Sequence, residues 1–183
     1  MNRLLARIAV LDLSVDQALS WLRRPGSARV MALTTILGSG YFCFPVYTLV
    51  LGLARESSFP VLIPVLGAEA ILFPLIAGLR MLTRRERPLA RAARPWEAWN
   101  RYSFPSYHAA RIWMLALACS LHFPGVAPFA LGLAVVVSAS RLTLRRHYLS
   151  DILAGSFLGG LAYCAGAVLS AHLGMLRGLL TYF

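Results

Sequence analysis

His147 and Asp151 stand four residues apart, preceded by the pair Ser140-Arg141 with five residues between Arg141 and His147. On a helical turn this spacing puts both side chains on one face, so a carboxylate can hold the proton of one ring nitrogen while the other nitrogen attacks. A second histidine closes the run Pro105-Ser106-Tyr107-His108 and can protonate a leaving oxygen. Arg80, six residues, then Arg87-Pro88 supply, with Arg141, guanidinium forks that suit the equatorial oxygens of a phosphoryl group in transfer. Phosphoryl transfer through a histidine is the chemistry this set can perform. Two histidines and an aspartate can also ligate a metal, but the surrounding arginines would repel a divalent cation.

Such residues act together only if the fold gathers them. The chain has 183 residues, room for one domain, and with 58% hydrophobic content and mean hydropathy +0.66 it is too apolar for an ordinary soluble protein. Apolar stretches at 30–53, 60–82, 106–122, 124–140 and 151–172 approach the roughly twenty residues of a membrane crossing, the third and fourth being shortest. The expected fold is all-α: a polytopic membrane bundle of about five transmembrane helices with an N-terminal interfacial helix. One membrane-embedded domain then covers residues 1–183, with 1–27 interfacial and 30–172 forming the bundle. Successive crossings alternate in direction, so the second end, third start, fourth end and fifth start share a face. Arg80, Arg87, His108, Arg141, His147 and Asp151 therefore line one mouth.

Over residues 3–23, Leu4, Ile8, Leu11, Val15, Leu19 and Leu22 recur every three or four positions, with Arg3, Arg7, Asp12 and Asp16 on the remainder of the wheel. A helix lying in the membrane surface is expected, ended by Arg23, Arg24, Pro25 and Gly26. Asp12 and Asp16 also interrupt any cleavable signal. Net charge is +11 and all 18 basic residues are arginine, which suits anionic headgroups or phosphate esters, although coding bias also explains missing lysine; so apolar a chain is no nucleic-acid binder. Cys43, Cys119 and Cys164 lie in apolar runs and read as small core residues. Gly155, Gly159, Gly160 and Gly166 permit close helix contact, within one subunit or between two. Glu69 lies in the middle of the second crossing, about 16 Å along the axis from Arg80, and is expected to pair with another helix. Arg111, three after His108, either faces the same pocket one turn deeper or snorkels. His122 and His172 fall on the opposite face as interfacial bystanders. Residues 95–104 mix aromatic and charged side chains, as an interfacial anchor or as a gate for lipid entry. Arg84, Arg85, Arg91, Arg94, Arg145 and Arg146 attract anionic lipid, hold a second phosphate, or are simply solvated by headgroups.

The three clusters resemble the type-2 phosphatidic-acid phosphatase superfamily, which includes the vanadium haloperoxidases. Its pattern is Lys, six residues, Arg-Pro; then Pro-Ser-Gly-His; then Ser-Arg, five residues, His, three residues, Asp. The third motif is complete here, and the departures are Arg80 for lysine and Tyr107 for glycine. The resemblance implies that His147 is the nucleophile, that Asp151 orients it and that His108 is the general acid. It implies phosphate binding by Arg80, Arg87, Arg141, the Ser106 hydroxyl and the local amides, including those of Tyr107 and Ser140. Arg111 and Glu69, which no motif covers, are candidates to support these residues from behind, from their position alone. No metal or cofactor is implied. Arg80 keeps the charge with a wider fork, whereas Tyr107 either strains a loop that needs positive φ or narrows the pocket at the substrate headgroup.

The implied activity is dephosphorylation of a lipid phosphate or pyrophosphate at the membrane interface through a phosphohistidine. A lipid phosphotransferase using the same intermediate and a non-catalytic lipid-binding or transport protein are the alternatives. The partners are the lipid substrate and membrane lipids. The resemblance suggests a bacterial inner membrane with an outward-facing site. The arginine distribution, with only Arg55 and Arg177 on the far face, favours a cytoplasmic one.

Overall fold

A computed structural model describes residues 3–53, 59–89 and 100–180. Among the described residues the regular structure is helical, without strands: α1 (Arg3–Ala18), α2 (Pro25–Thr34), α3 (Gly40–Leu53), α4 (Phe59–Thr83), α5 (Tyr107–His122), α6 (Ala127–Thr143) and α7 (Leu149–Leu180). The chain is an integral membrane helix bundle. Its outward surface carries Phe73, Phe129, Val135, Leu153 and Phe157, all exposed, as a lipid-facing shell requires.

α4, α5 and α7 enclose the main core, in which Val65, Ala68, Leu72, Ile76, Ala110, Met114 and Ala162 are buried. α6 closes on α5 through Ile112, Ala116, Ala134 and Val137. Two glycines of α7 set how closely it meets α5. A Cβ on Gly155 would stand 2.3 Å from the Ser106 carbonyl oxygen, and one on Gly159 would stand 2.1 Å from that of Ala110. Gly160 meets nothing within 4 Å, so it takes no part in this contact.

Among the described residues three helical segments are long and apolar enough to cross a bilayer: Pro60–Thr83, Pro124–Thr143 and Leu149–Leu173. The expected single crossing at 30–53 is instead a bent pair, Pro25–Gly38 and Gly40–Leu53, meeting at 43°. Ser39 at the break is extended, with φ −85° and ψ 152°. The chain is closely packed beside the break, since a Cβ on Gly38 would stand 2.9 Å from Val137 and 3.4 Å from the His108 carbonyl oxygen. The opened backbone is not orphaned, because the Gly38 carbonyl accepts from Arg111 Nη1 at 3.4 Å. α5, with 16 residues, reaches only about 24 Å. Five crossings are therefore reached only by counting both this short helix and the bent pair.

Two further expectations are corrected. Cys43 is buried, but Cys164 is exposed on the lipid-facing surface of α7. α1 does not present all its polar residues to headgroups: Asp12 is buried, whereas Leu5, Val10, Leu11 and Leu13 are exposed. Asp12 follows Ile8 by four and precedes Val15 by three, so it shares their face, and that face is the one turned to the protein.

Candidate active site

α4 ends, α5 begins, α6 ends and α7 begins at one end of the bundle, and the residues expected at a common mouth meet there. Arg80, Arg87, His108, Arg141 and His147 line a single cavity of 630 Å³. Asn100, Tyr107 and Arg111 complete its polar wall, and Tyr41, Phe44, Pro45 and Phe73 give it an apolar flank. Arg80, Arg87, Arg141 and His147 are all buried. The three guanidinium charges therefore act in a poorly screened environment, and an anion is the ligand that relieves their mutual repulsion. Tyr107 and His108 open α5, so the positive end of that helix also abuts the cavity.

The orientation of His147 follows from its neighbours. Nδ1 lies 2.8 Å from the Ser103 carbonyl oxygen, which can only accept. Nε2 lies 3.3 Å from Arg87 Nη1, which can only donate. The ring is thus the Nδ1–H tautomer with the Nε2 lone pair toward the arginines. Burial foremost, then the charges of Arg141, Arg87 and Arg80 and the nearby His108, holds the His147 pKa well below its ordinary 6.5. Asp151 stands 3.6 Å from Nδ1, beyond a direct hydrogen bond. The expectation that this carboxylate takes the ring proton is corrected: the Ser103 carbonyl is the hydrogen-bond partner of Nδ1, and Asp151 stands beside it.

The arginines are held from several elements. Arg87 donates to the Asn100 carbonyl from Nε at 3.2 Å and Nη2 at 2.9 Å, and to the Arg146 carbonyl at 2.9 Å. Arg80 donates from Nε to the Pro105 carbonyl at 3.1 Å and reaches Asn100 Oδ1 at 3.4 Å. Arg141 Nη1 donates to Thr35 Oγ1 at 2.8 Å, tying α6 to the turn before the α2–α3 break. Asn100 and Ser103 were not legible as site residues, because nothing in their spacing shows that residues 100–106 fold back over His147.

The hydroxyls of Ser106 and Ser140 do not face the cavity. Ser106 caps α5 by accepting from the Ala109 amide at 3.5 Å, and Ser140 donates to the Val137 carbonyl at 2.6 Å. Both are fully buried, and neither lines the pocket. Behind His108, Glu69 accepts from Arg111 Nη2 at 3.0 Å, Tyr107 OH at 2.7 Å and Tyr47 OH at 3.1 Å. The Arg111 guanidinium sits 4.2 Å from the Tyr107 ring centroid. Arg111 is therefore a buried, paired wall of the cavity and not a snorkelling side chain. His122 bonds Tyr163 OH at 2.9 Å, away from the site. Arg55, Arg91, Arg94 and the aromatic run 95–99 lie outside the described residues, as does the side chain of Arg177.

The fold is similar to two solved membrane proteins. One is the first transmembrane PAP2 type phosphatidylglycerolphosphate phosphatase from Bacillus subtilis, 23% identical, with a TM-score of 0.73 over 91% of this chain and 87% of that one. The other is LpxE of Aquifex aeolicus, 20% identical, with a TM-score of 0.68 over 84% of this chain and 93% of that one. The PAP2 superfamily model matches residues 41–173, which take in every residue lining the cavity except Ser39 and Gly40. With that match spanning most of its length and all three clusters, this chain belongs to the PAP2 superfamily.

Proposed function

We propose that the protein removes phosphate from a lipid phosphate or lipid pyrophosphate at the membrane interface through a phosphohistidine. The observation that carries this reading is the Nε2 lone pair of His147, presented to a cavity walled by Arg80, Arg87, Arg141 and His108. Nε2 forms a bond to phosphorus as the bond from phosphorus to the leaving oxygen breaks, and His108 gives that oxygen a proton. Burial and the arginines keep His108 neutral before substrate binds, and it takes up that proton with the incoming phosphate's negative charge. Water then attacks phosphorus and passes a proton to His108, the nitrogen–phosphorus bond breaks, and the neutral imidazole returns with inorganic phosphate released. The three arginines stabilise the equatorial charge, filling the role a metal would play. Asp151 offsets the positive charge that the ring gains while it carries phosphate.

An amphiphilic substrate fits because the phosphate clamp adjoins the apolar flank of Tyr41, Phe44, Pro45 and Phe73. The test is phosphate release by the purified chain from phosphatidic acid, phosphatidylglycerophosphate, an isoprenyl diphosphate and a lipid A phosphate. Release from none of them overturns the proposal, and release only with an added alcohol acceptor identifies a phosphotransferase. We place the site on the cytoplasmic face, from the arginine excess there and from α1, whose Arg3 and Arg7 share that face. Labelling of Arg7→Cys by an impermeant thiol reagent in intact cells, in a background without native cysteines, would reverse that orientation.

A further inference from the structure

The chemistry above uses neither of two buried carboxylates, Glu69, which pairs with Arg111, and Asp12. Asp12 is the only buried residue among the described side chains of α1, a helix that turns Leu5, Val10, Leu11 and Leu13 outward. Burying a carboxylate is costly unless it is fully paired, and this one is. Its Oδ1 accepts from the Ser150 amide at 2.9 Å. Its Oδ2 accepts from the Ser150 hydroxyl at 2.6 Å and from Arg85 Nη2 at 2.6 Å.

Arg85 carries the connection onward. Its other arm, Nη1, donates to Asp151 Oδ1 at 2.8 Å and to the Ser150 hydroxyl at 2.6 Å. Asp151 Oδ2 accepts from the Tyr148 amide at 2.9 Å and faces His147 Nδ1. Charges of alternating sign thus run Asp12, Arg85, Asp151, from the surface helix to the carboxylate that faces the neutral His147 ring. The Arg85 side chain is 29% exposed, so without Asp12 one arm would be released to water or headgroups. The Ser150 amide, in the first turn of α7, would lose its acceptor at the same time.

We propose that Asp12 is a positioning residue: through Arg85 and Ser150 it holds Asp151 against His147, coupling the seating of α1 on the membrane surface to the nucleophile. This rests on His147 being the nucleophile, and the test separates the two ideas. Phosphate release is measured with the full chain in mixed micelles, using whichever of the four lipid phosphates above the wild type hydrolyses fastest. Asp12→Asn lowers kcat roughly 10- to 100-fold, the worth of a charge-assisted hydrogen bond, while KM moves by less than about threefold. In an Asp151→Asn background the same change costs less than about threefold, because coupled residues do not add. Asp12→Glu, which keeps the charge, recovers part of the loss.

A merely structural Asp12 behaves differently, lowering the melting temperature with unchanged kcat, or lowering kcat equally in both backgrounds. Either result overturns the relay and leaves the phosphatase reading intact. Wild-type turnover by His147→Ala overturns that reading itself, and the relay with it.

Discussion

Arg87 Nη1 points at His147 Nε2 across 3.3 Å, and because arginine has no acceptor the imidazole must offer its lone pair on that side. The contact leaves that lone pair toward the cavity, as the proposed nucleophile requires. It also means that the arginine steadying the resting nitrogen must yield to phosphorus when the substrate binds.

A pH profile follows from this arrangement. With its pKa held well below 6.5 by burial and by Arg141, Arg87 and Arg80, His147 stays neutral as the pH falls through 6.5. The acid limb of kcat/KM due to its protonation therefore lies below 6.5. Stability moves differently. The unfolded chain takes up the proton first, so stability is lost as pH falls from 6.5 toward the lower folded-state pKa. Rate profiles and detergent melts over the same pH series check both, and an acid limb at or above 6.5 contradicts the assignment.

Removing the nucleophile is the sharpest mutational test. His147→Ala lowers turnover by at least about 10³-fold, whereas Asp151→Asn, which keeps the geometry but not the charge, costs roughly 10²- to 10³-fold. Wild type quenched in denaturant at alkaline pH carries acid-labile, alkali-stable phosphate on histidine and His147→Ala carries none, as phosphoamino-acid analysis after alkaline hydrolysis would read.

Tyr107 sets the shape of the cavity, where its ring lines the wall against Arg111. Tyr107→Gly shifts the ratio of kcat/KM between large- and small-headgroup substrates by about 10-fold, with a smaller change in kcat for the best substrate. Tyr107→Phe keeps the ring, loses the bond to Glu69, and leaves that ratio unchanged at a cost of about 1–2 kcal/mol in stability. Competition assays with mixed substrates measure the first effect and thermal unfolding the second.

Glu69 and Arg111 are both almost fully buried, so deleting one partner strands the other. Glu69→Ala destabilises the bundle by about 3–5 kcal/mol, and the double variant Glu69→Ala with Arg111→Leu restores most of it. Denaturant titration in detergent reads both, and equal stability of the single variant and wild type would remove the pair from the account.

Inhibition distinguishes the guanidinium clamp from a metal centre. Vanadate, a mimic of the five-coordinate phosphoryl group, inhibits competitively, and Arg141→Ala weakens it by roughly 10- to 100-fold. Chelators leave turnover unchanged. Activity lost in chelator and restored by a divalent ion would show that the arginines do not carry the charge alone.

Sequence by itself determined the helical membrane class, because runs of about twenty apolar residues admit few other solutions in a bilayer. It also placed Arg80, Arg87, His108, Arg141, His147 and Asp151 at one mouth, since alternating crossings leave no freedom over which ends are neighbours. Tertiary structure decided what depends on contacts between distant segments. The break at Ser39, the Ser103 carbonyl as the partner of His147, and the clasp of Asn100 on Arg87 all arise where backbone folds back on backbone, which hydropathy cannot register. Asp12 reads in the sequence as one of the polar residues of α1, and the structure instead seats it on the face that Ile8 and Val15 turn to the protein. Only the docking of α1 on α7 shows why it is there, because a carboxylate tolerates that face only when its partners come from elsewhere in the chain.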